Sequence, residues 1–521
     1  VSTQVYFDGK VYTRKREESV LDALCRGGAN VGFSCRKGSC HVCMLQAVDG
    51  DPGPDANRGL RPGLARAGMF LPCTAYPSGD LEVQQPDPTA LFATVQVASK
   101  RWLSNAVCAI QLEPETHLHW RPGQFVNVRR ADGLTRSYSV TSCPYFDYFL
   151  EIHVKRLSDG AMSRWLCDAV EPGDRFEIQG PAGTCYYDPP EHGHRALVLL
   201  ATGSGLSPLL GVVKDALRQG HTAPITLYHG SRDLTGLYLR DELSRLATQY
   251  EHVRYIPCLT QEPIPSHIRS GRVVDLAFAE HRDLSEAVTF LCGIPDMVYE
   301  ARYRAVLAGC PRERVLADPF EYAHVQLPTD RERMGRVVAD PELWEALDQG
   351  PKLMTIIRAF YDEAFEDERL APFFRRVTKR RAVEKQYSFL ADMLTGATHY
   401  FGLGPFNAHH WMIISDELFD YRERMFERVV RSHGIPEPMV RRWMALHELF
   451  RRDIVKNAAR GMVIDGVEQP VGGFEDVVVA VASVCDGCMA EINEGELGHT
   501  HARTGELFCV SCRGKVAEVR T

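Results

Sequence analysis

The spacing of apolar positions changes along this chain, and each change marks a different kind of unit. At the start, apolar and polar residues alternate. Val1–Phe7 and Lys10–Thr13 predict a strand hairpin turning at Asp8-Gly9, Ser19–Cys25 a short helix, and Leu81–Val83 a last strand. Pro86-Asp87-Pro88 reads as a linker. Six short strands follow, at Ala93–Ser99, Val107–Gln111, Gln124–Val128, Ser137–Val140, Phe149–Lys155 and Arg175–Gln179, punctuated by Gly and Pro, as in a small antiparallel barrel. From Arg195–Leu200, buried-strand runs alternate with helical stretches (Ile225–His229, Val253–Cys258, Val288–Cys292), which predicts a parallel α/β sheet. After a charged linker from Leu327 to Arg336 the period becomes helical. Leu353, Ile356, Ile357, Phe360, Tyr361, Ala364 and Phe365 share one face of a helix that the reading extends to Phe374. Further helices are expected over about 381–394, at Asp416–Ser432 and at Glu437–Asn457. The expected units are 1–88, 89–190, 191–325, a linker at 326–340, 341–462 and 463–521.

Length and composition narrow the class. A chain of 521 residues is too long for one core. A net charge of −8 argues against a nucleic-acid-binding body. The longest apolar run, Val477–Cys485, is too short to span a bilayer, and the start Val-Ser-Thr-Gln lacks the charged and apolar regions of a secretory signal. Of 16 cysteines, eight fall into two four-cysteine sets and the rest are scattered, which suits a reducing, cytoplasmic setting better than a disulfide framework.

The first set is Cys35, Cys40, Cys43 and Cys73, a C-x4-C-x2-C run answered by a distant fourth cysteine. This is the plant-type spacing for a [2Fe-2S] cluster, and Gly38 lets the loop wrap closely. The first unit resembles a plant-type ferredoxin domain of the β-grasp class. In the predicted barrel, Arg136-Ser137-Tyr138-Ser139 places a cation, a flat ring and a hydroxyl along one strand, which suits a flavin. Gly160-Ala161-Met162-Ser163 opens a helix that offers backbone N–H groups and Ser163 to phosphate. Next, Ala201-Thr202-Gly203-Ser204-Gly205 sits at a strand-to-helix turn where a pyrophosphate could approach. The strand ending at Cys292-Gly293 leads into Ile294-Pro295-Asp296-Met297.

Taken in order, these motifs resemble the ferredoxin–NADP reductase-like superfamily, and residues 1–325 are similar to the ferredoxin-first reductases that feed oxygenases. The resemblance implies FAD on Arg136, Tyr138 and Ser139, nicotinamide pyrophosphate at Gly203 and Gly205, Cys292 near the nicotinamide ring, and Phe320, or less favourably Tyr322, beside the flavin. Arg232 suits either an NADPH phosphate or an NADH adenosine, so NADH and NADPH both stay open.

In the helical segment, Phe360-Tyr361, then Leu370-Ala371-Pro372-Phe373-Phe374, then a helix with Gln386, then a glycine-rich run, then His409 with Ile414 and Phe419 resemble the truncated globins. The resemblance implies haem b with His409 on the iron (His410 as the alternative), Tyr361 and Gln386 on the distal side holding O2, Phe374 against the haem and Ala382 over the distal opening. Tyr421-Arg422 departs from the apolar or Trp pattern of that family. The arginine-rich run Arg375, Arg376, Lys379, Arg380, Arg381 suits a solvated face, a propionate contact or a docking surface. Finally, Cys485, Cys488, Cys509 and Cys512 form two C-x2-C knuckles that predict a zinc ribbon holding structural Zn2+, with a rubredoxin-like iron as the alternative. His499 and His501 are expected in the loop between them.

The combined expectation is an NAD(P)H-fed oxidoreductase in which electrons pass from flavin through the [2Fe-2S] centre to a globin haem. Plant-type clusters lie near about −400 mV, low enough for that step. Flavohaemoglobins share this logic, which implies nitric oxide dioxygenation. The alternatives are a reductase component serving a separate oxygenase protein and a haem-based redox or gas sensor.

Overall fold

The structure is a computed structural model of the chain. It describes residues 3–320 and 334–512, apart from 16–17, 34–37, 39–40, 58–59, 61, 87–90, 117, 336, 375–376, 398–399, 401, 457–459, 465–466, 469–473, 480–481, 486 and 502–506. The expectations for Cys35, Cys40, Tyr322, Arg375 and Arg376 therefore lie outside the described residues.

In the first unit, β1 (Thr3–Phe7) and β2 (Lys10–Arg14) form the expected hairpin, turning at Asp8 and Gly9, both with positive φ. Strands β3 (Leu45–Asp49), β4 (Met69–Phe70) and β5 (Leu81–Gln84) complete a sheet of order β2-β1-β5-β3-β4, in which β1 and β5 are parallel. Helix α1 (Val20–Arg26) begins at Ser19, whose side chain and that of Asp22 form a capping box, and buries Val20, Leu21 and Leu24 on the sheet.

The second unit comprises β6 (Phe92–Trp102), β7 (Val107–Pro114), β8 (Phe125–Arg129), β9 (Thr135–Ser139), β10 (Leu150–Lys155) and β11 (Arg175–Ala182) in the order β10-β7-β6-β11-β8-β9. Every neighbouring pair is antiparallel, and a bridge between Val140 and Ile152 brings the two ends together into a barrel.

The third unit is a parallel sheet of β12 (Leu197–Thr202), β13 (Ile225–Ser231), β14 (Val253–Leu259), β15 (Arg269–Ser270), β16 (Val288–Gly293) and β17 (Val315–Pro319), in the order β15-β14-β13-β12-β16-β17. Strand β17 goes beyond the sequence reading. It is half-buried and carries Asp318 and Pro319, so it lacks the run of apolar residues that marks its neighbours. Helix α2 (Leu206–Arg218) follows β12, and α3 (Pro295–Leu307) follows β16.

The helical segment contains α4 (Pro341–Ala346), α5 (Pro351–Ala364), α6 (Ala371–Phe374), α7 (Lys379–Thr395), α8 (Pro405–His409), α9 (Asp416–Ser432), α10 (Glu437–Leu449) and α11 (Arg451–Ile454). Two helices are shorter than the apolar pattern suggests. The first stops at Ala364 because the Asp367 carboxylate accepts from the backbone N–H groups of Arg369 and Leu370, starting a new turn. The last breaks at Phe450, and Val455 is already extended.

The helical unit does not stand apart from the nucleotide sheet. One apolar core runs from Val198, Leu200 and Leu291 through Val298, Ala301 and Ala305 of α3 into Trp443, Met444 and Ala445 of α10. A buried ion network crosses the same seam. Arg302 meets Glu448 at 3.0 Å, and Arg312 meets Glu423 and Glu448 at 3.3 and 3.1 Å. Arg451 also pairs with Glu448, at 2.7 Å.

The last unit consists of small sheets, β18 (Val463–Ile464) with β19 (Val467–Glu468), β20 (Phe474–Val478) with β23 (Leu497–His501) and β24 (Leu507–Cys509), and β21 (Ser483–Val484) with β22 (Glu491–Ile492). His499 and His501 lie on strand β23, not in the expected loop. His499 is buried, with Nδ1 2.7 Å from Asp476, because the strand pairs on both sides and turns that position inward. Among the described residues no helix is long and apolar enough to cross a membrane.

Candidate functional sites

In the first unit Cys43 and Cys73 are both buried. Cys73 sits in a tight turn over Pro72–Thr74. Gly38, between the two outlying cysteines, has φ +79, and a Cβ there would lie 3.0 Å from Thr74 and 3.9 Å from Leu71. Gly38 thus lies against the turn that carries the fourth cysteine, which suits four thiolates closing around one cluster.

The loop is also tied to the barrel. The Gln179 amide donates to the His41 carbonyl at 3.2 Å, the Asn127 amide donates to Gln179 at 3.1 Å, and the Ser137 hydroxyl donates to Asn127 at 2.8 Å. Ser137 lies between Arg136 and Tyr138, so an unbroken run of hydrogen bonds joins the cysteine loop to strand β9. Gln179 and Asn127 are buried and were not singled out from the sequence, where they look like ordinary strand polar residues.

Along β9, Arg136 is exposed and donates to the Thr135 carbonyl at 2.8 Å. Tyr138 is half-buried against the barrel core, and burial pushes its phenol up. The Ser139 hydroxyl donates to Asp318 at 3.2 Å. Asp318 stands opposite Cys292 in the β16–β17 register, and the Phe320 N–H donates to the Gly293 carbonyl at 2.8 Å. Ser139, Cys292 and Phe320 therefore converge through β17. Ser163 is buried, and its hydroxyl is engaged within its own turn. It donates to the Gly160 carbonyl and accepts from the Leu157 N–H, both at 3.2 Å. What that turn offers a phosphate is backbone N–H rather than the hydroxyl.

The tips of β12 and β16 pack backbone to backbone. A Cβ on Gly205 would lie 2.2 Å from the Cys292 carbonyl oxygen, and one on Gly293 (φ +138) 2.2 Å from the Thr202 hydroxyl. Gly203 takes φ +56, and the Lys155 ammonium lies 3.8 Å from where its Cβ would be. Lys155 has no carboxylate partner among the described residues, so this cation faces a glycine cradle of the kind that accepts a pyrophosphate. It was missed in the sequence because a lysine at a strand end looks solvated. Cys292 is fully buried with its Sγ 3.6 Å from that of Cys185, and burial pushes its thiol up. Arg232 is exposed.

In the helical unit, His409 Nδ1–H donates to the Pro405 carbonyl at 2.8 Å, which fixes the tautomer and leaves an Nε2 lone pair. Nε2 makes no hydrogen bond among the described residues. Burial, then the charges of Lys456 and Arg422, hold this imidazole neutral, with its pKa lowered to about 4. His410 instead is turned into packed surroundings, with Nδ1 donating to Asn407 at 2.6 Å. Tyr361 is buried among Phe360, Phe365 and Phe374, the last with ring centres 5.7 Å away, and its hydroxyl has no hydrogen-bond partner among the described residues. Burial pushes that phenol up while Arg422 opposes it. The same guanidinium thus acts on both Tyr361 and His409. Arg422 lies 4.6 Å from the Phe360 ring centre and is bonded to Glu423 and His447. Gln386 is half-buried on α7, where Ala382 is buried. An imidazole fixed at Nδ1, with no hydrogen bond to Nε2 among the described residues, and a buried tyrosine among phenylalanines are residue types that suit haem ligation.

In the last unit the sulfurs of Cys485, Cys488, Cys509 and Cys512 lie within 4.8 Å of one another, with Cys488 and Cys509 3.8 Å apart. That separation matches the edge of a tetrahedron with metal–sulfur bonds of about 2.3 Å. The N–H groups of Cys509 and Gly487 lie 3.3 and 3.4 Å from the Cys485 sulfur, the kind of donors that favour a thiolate.

Three families match the first three units. The 2Fe-2S iron-sulfur cluster binding domain matches residues 5–78, the oxidoreductase FAD-binding domain 94–187, and the oxidoreductase NAD-binding domain 199–302. These define an NAD(P)H-dependent flavin and iron–sulfur oxidoreductase. More narrowly, through these domains the chain belongs to the ferredoxin-first reductases of oxygenase systems. It is 33% identical over 296 residues to the reductase subunit of an aromatic O-demethylase from Amycolatopsis sp., covering 54% of this chain and 87% of that one. It is 27% identical over 315 residues to reductase component 1 of terephthalate 1,2-dioxygenase from Comamonas sp., covering 58% and 92%. The crystal structure of an Amycolatopsis cytochrome P450 reductase aligns with 28% identity and a TM-score of 0.46, over 62% of this chain and all of that one.

Proposed function

We propose that this reductase carries its own electron acceptor, a haem b in the helical unit, and that the chemistry served is the reaction of O2 with nitric oxide. The observation that carries the reading is His409, with Nδ1 held by Pro405 and Nε2 making no hydrogen bond among the described residues, in the same unit as a buried Tyr361 whose hydroxyl has no partner among those residues. In this reading Cys35, Cys40, Cys43 and Cys73 hold the cluster. Arg136, Tyr138, Ser139 and the 160–163 turn hold FAD, with Phe320 beside it. Gly203, Gly205 and Lys155 hold the nicotinamide pyrophosphate, and Cys292 faces the ring. His409 binds the haem iron, Phe374 packs on the haem, and Tyr361 and Gln386 orient the bound gas. The units work as 1–88, 89–190, 191–325, 341–462 and 463–521, the last stapled by Zn2+. FAD, when bound, accepts two electrons as hydride and releases them singly, which suits a one-electron cluster.

Anaerobic mixing with NADH tests this. The expected result is a shift of the haem band with no added protein, followed by stoichiometric nitrate once nitric oxide and O2 are supplied. A haem band that stays put sinks the reading. The second reading, a reductase whose acceptor is a separate protein, is favoured by relatives described as reductase components and predicts that result.

A further inference from the structure

The first unit is held by the helical unit at a point next to Cys73. The Thr74 hydroxyl donates to the Asp55 carbonyl at 3.3 Å, and the Leu71 N–H donates to the carbonyl of Ala56. Residues 55–56 are thus strapped to the turn that carries the fourth cysteine. The Asp55 carboxylate lies 2.7 Å from the Arg369 Nε of the helical unit, an ion pair held by charge without hydrogen-bond alignment. The Arg369 side chain is only 5% exposed. Its guanidinium lies 4.1 Å from the Tyr421 ring centre and is paired on a second edge with Glu417. Its backbone N–H is held by Asp367, which also accepts from the Tyr421 hydroxyl. The arginine is therefore set in place by its own unit before it reaches across, which lowers the ordering cost of a charge pair between the units.

We infer that Asp55 and Arg369 dock the Cys73 side of the cluster domain on the helical unit, so that electrons are delivered to that unit within one chain. This rests on the reading of the helical unit as the electron acceptor. The contact with Gln179 and His41 holds the same domain to the barrel, so the domain is fastened between donor and acceptor units instead of swinging out to a second copy. Asp55 and Arg369 are positioning residues. One electron leaves the cluster domain and one arrives in the helical unit, with no bond or proton change at the contact. Tyr421, which departs from the truncated-globin pattern, becomes intelligible as the platform for Arg369.

The test uses the full chain with Arg369→Glu, Asp55→Arg and the double swap, and Asp55→Asn as a mild variant. Hydrogen exchange reads docking directly. Residues 53–57 are protected in the parent, lose protection in each single charge reversal and regain it in the swap. Mixing with NADH reads delivery. The haem-band rate is the same at two protein concentrations tenfold apart, falls at least tenfold in each reversal and recovers in the swap, while reduction of added cytochrome c persists. An unprotected 53–57 loop in the parent, a rate that scales with protein concentration, or reversals that leave both readouts unchanged overturn the inference. A protein without a haem band sinks the functional reading instead, and the exchange arm still decides whether the two units dock.

Discussion

The Gln179 side-chain amide, on barrel strand β11, donates to the backbone carbonyl of His41, in the loop between Cys40 and Cys43. His41 has φ +59, a left-handed conformation that costs a non-glycine residue energy and that this loop retains. Gln179 is held in turn by Asn127, so neither end of the bond is free to drift. Replacing the amide with Gln179→Leu removes the bond to His41, about 1 kcal/mol net and about a fivefold smaller docking constant, and also strips Asn127 of its partner. Cytochrome c reduction by NADH is expected to fall, by up to about fivefold, with ferricyanide reduction, which draws on the flavin directly, unchanged.

The seam between the helical unit and the nucleotide sheet is sensitive to acid. Burial raises the Glu448 pKa, but Arg451, Arg312 and Arg302 outweigh it and hold the carboxyl well below its ordinary value of 4.5. Glu423 is shifted the same way by His447, Arg422 and Arg312. A carboxylate with a depressed folded pKa contributes stability that is fully present above its unfolded pKa and lost as pH falls toward the folded one. The helical unit is therefore expected to loosen progressively below about pH 4.5. The emission of Trp443, fully buried at this seam, should shift to the red over that range. Glu448→Leu leaves three arginines short of a partner, and the expected cost is about 3–5 kcal/mol, visible as an earlier thermal transition.

Tyr361→Phe separates ligand binding from folding. The hydroxyl has no hydrogen-bond partner among the described residues, so its loss should change thermal stability by no more than about 1 kcal/mol. If it orients a bound gas, O2 should dissociate about tenfold faster, the loss of one hydrogen bond of about 1.4 kcal/mol. His409→Ala should abolish the haem band while NADH-driven ferricyanide reduction continues.

The four-cysteine cluster makes a metal-dependent prediction for the last unit. Metal analysis should return one zinc per chain for this site, and Cys488→Ser should lose it. The core of this unit has five buried residues among those described, two of them Cys485 and Cys512, and gives little stability without a staple, so removal of the metal should expose residues 463–512 to protease and leave the flavin spectrum unaltered.

Much of the fold could be read ahead of the structure, wherever the signal was local. The Asp8-Gly9 hairpin, the short helix after Ser19, the six barrel strands and the Asp416–Ser432 helix all follow from turn chemistry and period. Less legible were β17, which is half-buried and ends in Asp-Pro, the helix ends at Ala364 and Phe450, which side-chain capping and packing decide, and the strand position of His499.

The candidate chemistry divides along the same line. Cysteine knuckles, glycine turns and the RSYS strand place their ligands a few residues apart, so the chain alone names the donor sets. What brings those sets together are single contacts between distant residues: Gln179 with His41, Ser139 with Asp318, Asp55 with Arg369, and Arg312 with Glu448. Each is a polar side chain that in one dimension looks like any solvated surface residue. Only packing the units against one another removes the water and turns them into the connections between the sites.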